Sequence, residues 1–227
     1  MTALLASVHT QEEAVLALEG GADIIDLKDP RAGGLGALPL ASIEAILARV
    51  RASSAVPVSA TIGDLADDAL DEMARRVRVT ARTGVDFVKV GIPRGPHARS
   101  ALARLAQLPA RIVPLFLVDR GLELDLVEAA CVHGFPVVMV DTADKTSGTL
   151  FDCLTFATLE TMVRAVHAAG TRAGLAGSLR AEHVPLLCAL EPDIAGFRGA
   201  LCDGARTGGL NRDKVRALRE ALPGFIR

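Results

Sequence analysis

The chain has 227 residues, half of them hydrophobic, and it contains neither tryptophan nor tyrosine and only seven phenylalanines. This composition leaves little for recognition by aromatic stacking, and a net charge of −2 gives no general attraction to nucleic acid or an anionic membrane. No apolar stretch reaches the roughly 18 residues of a membrane-spanning helix, and the first residues do not look like a signal peptide. We therefore expect a cytoplasmic protein without nucleic-acid or membrane partners.

Neither the cysteines nor the histidines are spaced like metal ligands. The four cysteines are scattered without a CxxC pair, and the five histidines show no metal-ligand spacing. Scattered reduced thiols are typical of a cytoplasmic protein. No Walker or dinucleotide-binding motif is present either. We expect no metal and no cofactor.

Short apolar runs alternate with longer amphipathic stretches along the whole chain. The apolar runs predict eight strands, at 4–8, 24–28, 56–61, 87–90, 112–118, 137–141, 172–176 and 194–197. The sequence predicts helices at about 10–19, 40–50, 67–83, 98–107, 124–133, 155–169, 181–190 and 212–222. Thr10 and Glu13 are spaced as a capping box at the start of the first helix. Eight β-α units predict a single (β/α)8 barrel over 1–227, and an open doubly wound sheet is the alternative.

Three of the predicted strands carry related segments, GADIIDLK, GVDFVKVG and EPDIAGFRG, in which an aspartate precedes the strand. The shared aspartates are Asp23, Asp86 and Asp193. Lys28 and Arg198 lie five residues after their aspartates, and Lys89 lies three residues after its own. Because side chains alternate along a strand, these odd offsets place all three side chains on the same face. In a barrel we expect that face to be the interior at the carboxyl end of the strands, where active sites of this fold are built.

Lysine is rare in this chain. Of 25 basic residues only four are lysines, which leaves 21 arginines (25 − 4) to serve the general surface. Lys28, Lys89 and Lys145 fall at or just beyond the ends of the second, fourth and sixth predicted strands. A lysine can lose its proton when desolvated and then act as a nucleophile, which an arginine cannot do. The placement therefore indicates lysine chemistry.

Two aspartates accompany these lysines. Asp26 precedes Lys28 by two residues, so both should face inward, where an unpaired carboxylate is costly. A salt bridge that only fills the barrel is one interpretation. The other is a Schiff-base lysine assisted by a carboxylate, with Lys89 favouring the neutral amine of Lys28 or acting as a base. Asp141, at the end of the sixth strand, is a candidate acid or base, and Lys145 is a candidate to bind phosphate or position a carbonyl.

The last two strands carry the candidate phosphate site, as is common in this fold. Gly177 and Ser178 follow the seventh strand and are expected to lead directly into a helix with free backbone N–H groups. Arg198 and Gly199 follow the eighth strand and combine a forked cation with a glycine. The glycine-rich loop 28–36, with Arg31, is a candidate for a second phosphate. Residues 146–148 are expected to form a loop over the mouth of the barrel.

Six blocks of the sequence resemble the family of (5-formylfuran-3-yl)methyl phosphate synthase, also called 4-(hydroxymethyl)-2-furancarboxaldehyde-phosphate synthase. From the first strands to the final helix they read DIIDLKDPRAGGLGA, VSATIGD, DFVKVG, VDTADKTSGTLFD, LAGSLRAEHVP and FRGALCDGARTGGLNRDKV. The resemblance implies a lyase that condenses two molecules of glyceraldehyde 3-phosphate, releases phosphate and water, and serves methanofuran or methylofuran biosynthesis. It implies that Lys28 forms the Schiff base and Lys89 accepts a proton, with Asp26, Asp141 and Lys145 nearby.

On this interpretation one triose phosphate becomes a ketone and forms an iminium on Lys28, and the derived enamine attacks the second aldehyde. Ring aromaticity favours the final steps, so no redox cofactor is needed. One alternative is an enzyme like the class I aldolases that acts on another sugar phosphate. Another is a non-catalytic barrel that binds a phosphorylated metabolite. The high apolar content and the sparse lysines also lead us to expect a homo-oligomer.

Overall fold

A computed structural model of the protein describes residues 1–145 and 148–223 and contains a closed barrel of eight parallel strands. The strands follow the order of the chain, and β8 pairs with β1 to close the barrel. They are β1 (Ala3–Val8), β2 (Ile24–Leu27), β3 (Val58–Thr61), β4 (Phe87–Gly91), β5 (Ile112–Leu117), β6 (Val137–Asp141), β7 (Arg172–Leu175) and β8 (Ile194–Phe197). The predicted fold class is confirmed.

The helices surround the barrel. In the described part of the chain they are α1 (Gln11–Glu19), α2 (Leu40–Arg51), α3 (Leu70–Ala81), α4 (Ala98–Ala106), α5 (Leu124–Val132), α6 (Leu150–Cys153), α7 (Phe156–Ala168), α8 (Val184–Leu190) and α9 (Arg212–Ala221). The short α6 was not predicted, and the region predicted as one helix at 181–190 begins with a 3₁₀ turn, Ala181–His183. No helix among the described residues is long and apolar enough to cross a membrane.

Successive side chains of a strand face two different layers of the core, one between the barrel and the helices and one inside the barrel. On β2, Ile25 and Leu27 point outward and pack among the helices, in one continuous hydrophobic cluster. Asp26, between them, is fully buried on the opposite, inner side. On β4, Phe87 belongs to a second cluster inside the barrel, so Lys89, two residues on, shares its face. The alternation inferred from sequence is therefore observed at both strands.

The three repeated aspartates perform the same structural task at the amino-terminal ends of β2, β4 and β8. Each backbone N–H donates to the carbonyl of one residue in the preceding strand, and each carboxylate accepts from the N–H of that same residue. The pairs are Asp23 with Leu4, Asp86 with Val58 and Asp193 with Ala173, with carboxylate distances of 2.9, 2.6 and 2.7 Å respectively. We call these contacts the aspartate bridges. They fix the register of neighbouring strands at the end of the barrel away from the lysines.

The first turn of α1 differs from the predicted capping box. The Thr10 hydroxyl accepts from the N–H of Glu13 at 3.2 Å, as expected for a helix N-cap. The Glu13 carboxylate, however, does not return to the Thr10 N–H. It accepts from the N–H of His9 at 3.0 Å and pairs with Arg198, which lies at the end of β8. The prediction was half correct, because a cation distant in sequence takes the carboxylate.

Candidate active site

A cavity of about 630 Å³ opens at the carboxyl end of the strands. Lys28, Lys89, Asp141 and Lys145 all line it, although they come from three different strands or the segments that follow them. The volume lies within the range of roughly 300–1,000 Å³ that small-molecule sites occupy. The catalytic side chains expected from sequence therefore converge on one cavity, with Asp26 directly behind Lys89.

One carboxylate serves two lysines in this cavity. The Lys28 ammonium donates to Oδ2 of Asp141 at 3.3 Å, and the Lys145 ammonium bonds to Oδ1 of the same side chain. The N–H of Thr142 also donates to Oδ1 at 2.8 Å. Lys28 is 7% exposed and Asp141 3% exposed, so both charges are held almost entirely out of water. The two amines are thus brought to opposite sides of a single buried acceptor.

The two ammonium groups affect the titration of this cluster. Burial would raise the pKa of Asp141, but the charges of Lys28 and Lys145 hold that pKa well below its usual range. Burial and the neighbouring charge of Lys28 together lower the pKa of Lys145 to about 8, against the attraction of Asp141. Asp141 is therefore ionised at neutral pH, whereas Lys145 can lose its proton within reach of physiological pH.

A second ion pair lies deeper in the barrel. Lys89 donates to Oδ2 of Asp26 at 3.1 Å, and both side chains are essentially excluded from solvent. The hydroxyl of Ser7 donates to the same oxygen at 3.1 Å, and that of Ser59 donates to the other oxygen at 2.6 Å. Both oxygens of Asp26 thus accept hydrogen bonds, from three donors in all. It holds the Lys89 ammonium at the base of the cavity.

The segment after β7 presents unused backbone donors to the cavity. Gly177 and Ser178 have φ values of +122° and +46°, and a side chain on Gly177 would lie 3.0 Å from Thr142. Within the described residues, the backbone N–H groups of Gly177 and Ser178 donate no hydrogen bond. The predicted direct entry into a helix was wrong, because the helical turn begins three residues later, at Ala181. The free donors belong to a strained loop.

The end of β8 presents similar donors. Gly199 and Ala200 line the cavity, and their N–H groups also lack acceptors in the part of the chain that the structure describes. Arg198 lines the cavity as well, but its side chain is committed elsewhere. It pairs with Glu13 at 2.6 and 2.9 Å and donates to three backbone carbonyls, those of Ser7, Arg206 and Gly208. These bonds use all five N–H groups of a guanidinium, which leaves none for the expected phosphate contact.

Two residues that sequence reasoning missed also shape the site. Arg206 lines the cavity from the loop after β8, where no strand or helix period indicates its direction. Asp119, just after β5, accepts from the N–H groups of Ala143 and Asp144 at 2.6 and 2.9 Å. It thereby restrains the segment that carries Lys145. Asp119 lies in a short polar segment after β5, but its partners lie on a different strand–helix connection, which the sequence could not show.

Of the loops that were expected over the mouth of the barrel, only a part lines the cavity. Arg31 is largely exposed, pairs with Asp29 at 3.1 Å and does not line the cavity, although Pro30 does. Gly34 allows close approach to the segment after β6, since a Cβ there would lie 2.8 Å from the carbonyl oxygen of Ala143. Of the predicted 146–148 loop, residues 146 and 147 lie outside the described residues.

A closed eight-stranded barrel with buried lysine–aspartate pairs at the carboxyl end of its strands defines the class of (β/α)8 barrel enzymes. The chain belongs to the 4-HFC-P synthase family, whose sequence model matches residues 4–219. The (5-formylfuran-3-yl)methyl phosphate synthase of Methanothermobacter thermautotrophicus is 34% identical over 99% of this chain and 100% of its own length. The protein of the same name from Methanopyrus kandleri is 36% identical, over 96% of this chain and 98% of its own.

Solved structures of other sequences share the fold. A 3-hexulose-6-phosphate synthase superimposes with a TM-score of 0.65 over 98% of this chain and all of its own, at 19% identity. Phosphoribosyl anthranilate isomerase from Thermus thermophilus gives 0.66 over 97% of this chain and 98% of its own, at 16% identity. At these identities the likeness concerns the barrel alone.

Proposed function

We propose that the protein condenses two triose phosphates, both derived from glyceraldehyde 3-phosphate, into (5-formylfuran-3-yl)methyl phosphate through a Schiff base on Lys28. The names of the relatives state this product, and the proposal further assigns the reaction to methanofuran or methylofuran biosynthesis, as the sequence resemblance implies. The observation that carries it is the Lys28 amine, which lines the cavity and lies 3.3 Å from the shared carboxylate of Asp141. A carboxylate at this distance can accept and return the protons that iminium formation requires.

The connectivity of the product decides which bonds form. Its ring carbon bearing the CH2–phosphate group must come from the carbonyl carbon of a ketone, dihydroxyacetone phosphate. Its ring carbon next to the one bearing the formyl group must be the former C3 of glyceraldehyde 3-phosphate, which has lost its phosphate. An iminium on the ketone followed by attack on the second aldehyde, as first expected, gives an unbranched chain. The Schiff base is therefore assigned to the aldehyde that becomes the formyl group.

The steps then balance. The Lys28 amine adds to the aldehyde and water leaves, and removal of the C2 proton of the iminium drives expulsion of the C3 phosphate. The resulting enol carbon attacks the ketone carbon of dihydroxyacetone phosphate. The terminal hydroxyl closes a five-membered ring onto the neighbouring carbonyl, two waters are eliminated to form the furan, and hydrolysis of the iminium frees Lys28. The net products are the furan phosphate, one inorganic phosphate and two waters, with no oxidation or reduction.

Proton transfer is assigned to the two lysine–aspartate groups. Lys145 has its pKa lowered to about 8 and shares Asp141 with Lys28, so it suits the transfers at the carbons next to the iminium. Lys89, held by Asp26 at the base of the cavity, suits proton acceptance from a more deeply placed carbon. The N–H groups of Gly177, Ser178 and Gly199, which donate to no acceptor among the described residues, suit a phosphate.

Borohydride trapping tests the proposal. The full-length protein is incubated with glyceraldehyde 3-phosphate and dihydroxyacetone phosphate, reduced, digested and mapped by mass spectrometry, while a parallel unreduced sample is analysed for the furan aldehyde. We expect an adduct on Lys28 and a furan product. Lys28→Arg should lose both, and Lys214→Arg, which changes a lysine outside the cavity, should keep both.

Each other outcome has a defined meaning. A Lys28 adduct with an open-chain product would support the aldolase-like alternative. An adduct on Lys89 or Lys145 would reassign the nucleophile. Saturable binding of the triose phosphates with neither adduct nor product would support the non-catalytic barrel and overturn the proposal.

A further inference from the structure

Within the described part of the chain, Arg206 is a cavity-lining cation whose guanidinium forms no ion pair, whereas the cavity lysines and Arg198 are paired. Its side chain is half-buried and lines the same cavity as Lys28 and Lys145. Among the described residues, no hydrogen bond or ion pair is formed by its guanidinium. By contrast, Arg198 uses every donor, and Lys28, Lys89 and Lys145 each pair with a buried carboxylate. An arginine keeps its charge at any physiological pH, so this positive charge lacks its anion.

The chain fixes the backbone of Arg206 while leaving its side chain unbound. Arg198 donates from Nε to the carbonyl of Arg206 at 2.8 Å and from Nη2 to that of Gly208 at 2.9 Å. The loop that follows β8 is therefore held against the ion pair of Arg198 with Glu13. Gly199 lies close by, since a Cβ on it would be 3.7 Å from the Cβ of Arg206. Arg198 thus acts as a positioning residue for Arg206.

The surroundings of Arg206 favour an anion. Burial and the neighbouring charge of Arg198 lower the pKa of Arg206, and the carboxylate of Asp141 only partly opposes them. Asp141 itself is already shared by two lysines. The nearby Gly199 adds a backbone N–H without an acceptor. A guanidinium beside such a donor matches the oxygens of a phosphate monoester, which accept forked, charge-assisted bonds.

We propose that Arg206 binds the phosphoryl group of the triose phosphate substrate, and that Arg198 positions Arg206 without touching the phosphate. The proposal deepens the proposed function, on which its choice of substrate rests. It moves the cationic phosphate contact from the arginine at the end of β8 to the loop that this arginine restrains. Two consequences follow: loss of Arg206 should impair phosphate binding without weakening the fold, whereas loss of Arg198 should weaken both.

The first test is thermal unfolding of the full-length protein with increasing inorganic phosphate. Binding to the native state raises the melting temperature. We expect phosphate to stabilise the unaltered protein and the surface control Arg99→Met. In Arg206→Met the apparent Kd for phosphate should rise about tenfold or more, because a charge-assisted contact is lost. Arg206→Lys, which keeps a charge but not the fork, should fall between the two.

The second test compares borohydride trapping of glyceraldehyde 3-phosphate and of unphosphorylated glyceraldehyde, each below saturation. Arg206→Met should reduce trapping of the phosphorylated aldehyde about tenfold, by the same lost contact. Trapping of glyceraldehyde should not change. Equal losses with both aldehydes would mean that Arg206 acts on Lys28 and would overturn the proposal.

A negative result for Arg206 can be distinguished from a negative result for the Schiff-base function. An Arg206→Met protein that melts normally and binds phosphate as tightly as the unaltered protein would overturn the assignment of Arg206. Absence of any lysine adduct in the unaltered protein would instead count against the Schiff-base function. The phosphate titration would still decide the role of Arg206 in that case.

Discussion

Arg198 and Glu13 form a two-point ion pair, 2.6 and 2.9 Å between their nitrogen and oxygen atoms, across the point where the barrel closes. Arg198 follows β8 and Glu13 lies in the first turn after β1, so the pair joins the last strand to the first connection. Burial opposes the charge on Glu13, but Arg198 holds the pKa of Glu13 below its usual value. The pair therefore supports both the barrel closure and the loop that carries Arg206.

The first prediction concerns stability. Glu13→Gln should lower the free energy of unfolding at pH 7 by about 3 kcal/mol, because it leaves the Arg198 guanidinium largely buried without its counter-charge. The pKa of Glu13 is lower in the folded protein than in the unfolded chain, where it is roughly 4.3. The stabilisation that Glu13 provides is therefore complete above this unfolded-state pKa, and it is lost as the pH falls through the pKa of the folded state. In urea denaturation, the difference in the free energy of unfolding between the unaltered protein and Glu13→Gln should thus become smaller below about pH 4. Glu44→Gln, on the exposed side of α2, is the control, and a difference independent of pH would contradict this account.

The second prediction concerns the pH dependence of activity. With the pKa of Lys145 lowered to about 8, its neutral fraction increases as pH rises through that value. If Lys145 accepts a proton in the reaction, kcat/KM should increase with pH and reach a plateau at pH values above about 8. Lys145→Arg should lose this rise, because a guanidinium is not deprotonated in this range. Lys214→Arg should retain it. A rise of unchanged midpoint in Lys145→Arg would assign the titration to another group.

The third prediction separates charge pairing from packing at the base of the cavity. Asp26→Asn should destabilise the protein by about 3 kcal/mol, since Lys89 loses the carboxylate that compensates it in a solvent-free position. The double variant Asp26→Leu with Lys89→Met should recover much of that loss, because both charges disappear together. Both variants should be inactive. Chemical denaturation and activity measured on the same samples would check this, and a double variant no more stable than Asp26→Asn would show that packing dominates.

The fourth prediction concerns Asp119. Removing its carboxylate in Asp119→Ala frees the N–H groups of Ala143 and Asp144 and loosens the segment that carries Lys145. We expect kcat to fall about tenfold, equivalent to about 1.4 kcal/mol of lost positioning. The melting temperature should change little because the aspartate is exposed. Asp119→Asn, which keeps one acceptor oxygen, should recover part of kcat. A rise in KM with kcat unchanged would mean that Asp119 supports substrate binding instead.

The sequence correctly predicted the features that depend on the periodic spacing of hydrophobic residues. The alternation of strands and helices gave the barrel, and the two-residue strand period correctly placed Asp26 and Lys89 inside it. The same period correctly predicted Arg198 at the mouth of the barrel. It gave no information on the direction of the Arg198 guanidinium. That direction depends on Glu13, 185 residues away in the chain. Arg206 lies in an irregular loop, where neither period applies and only the folded structure reveals the side chain's surroundings.

The aspartate bridges carry a further implication, which concerns how this barrel is built from units. They occur at β2, β4 and β8, and Pro136 occupies the corresponding position before β6. Three of the four even-numbered strands thus begin with the same contact, and each bridge joins an odd-numbered strand to the even-numbered strand that follows it. The contact therefore recurs with a period of two strands rather than one, and it ties β1 to β2, β3 to β4 and β7 to β8 before the chain reaches the cavity end of the barrel.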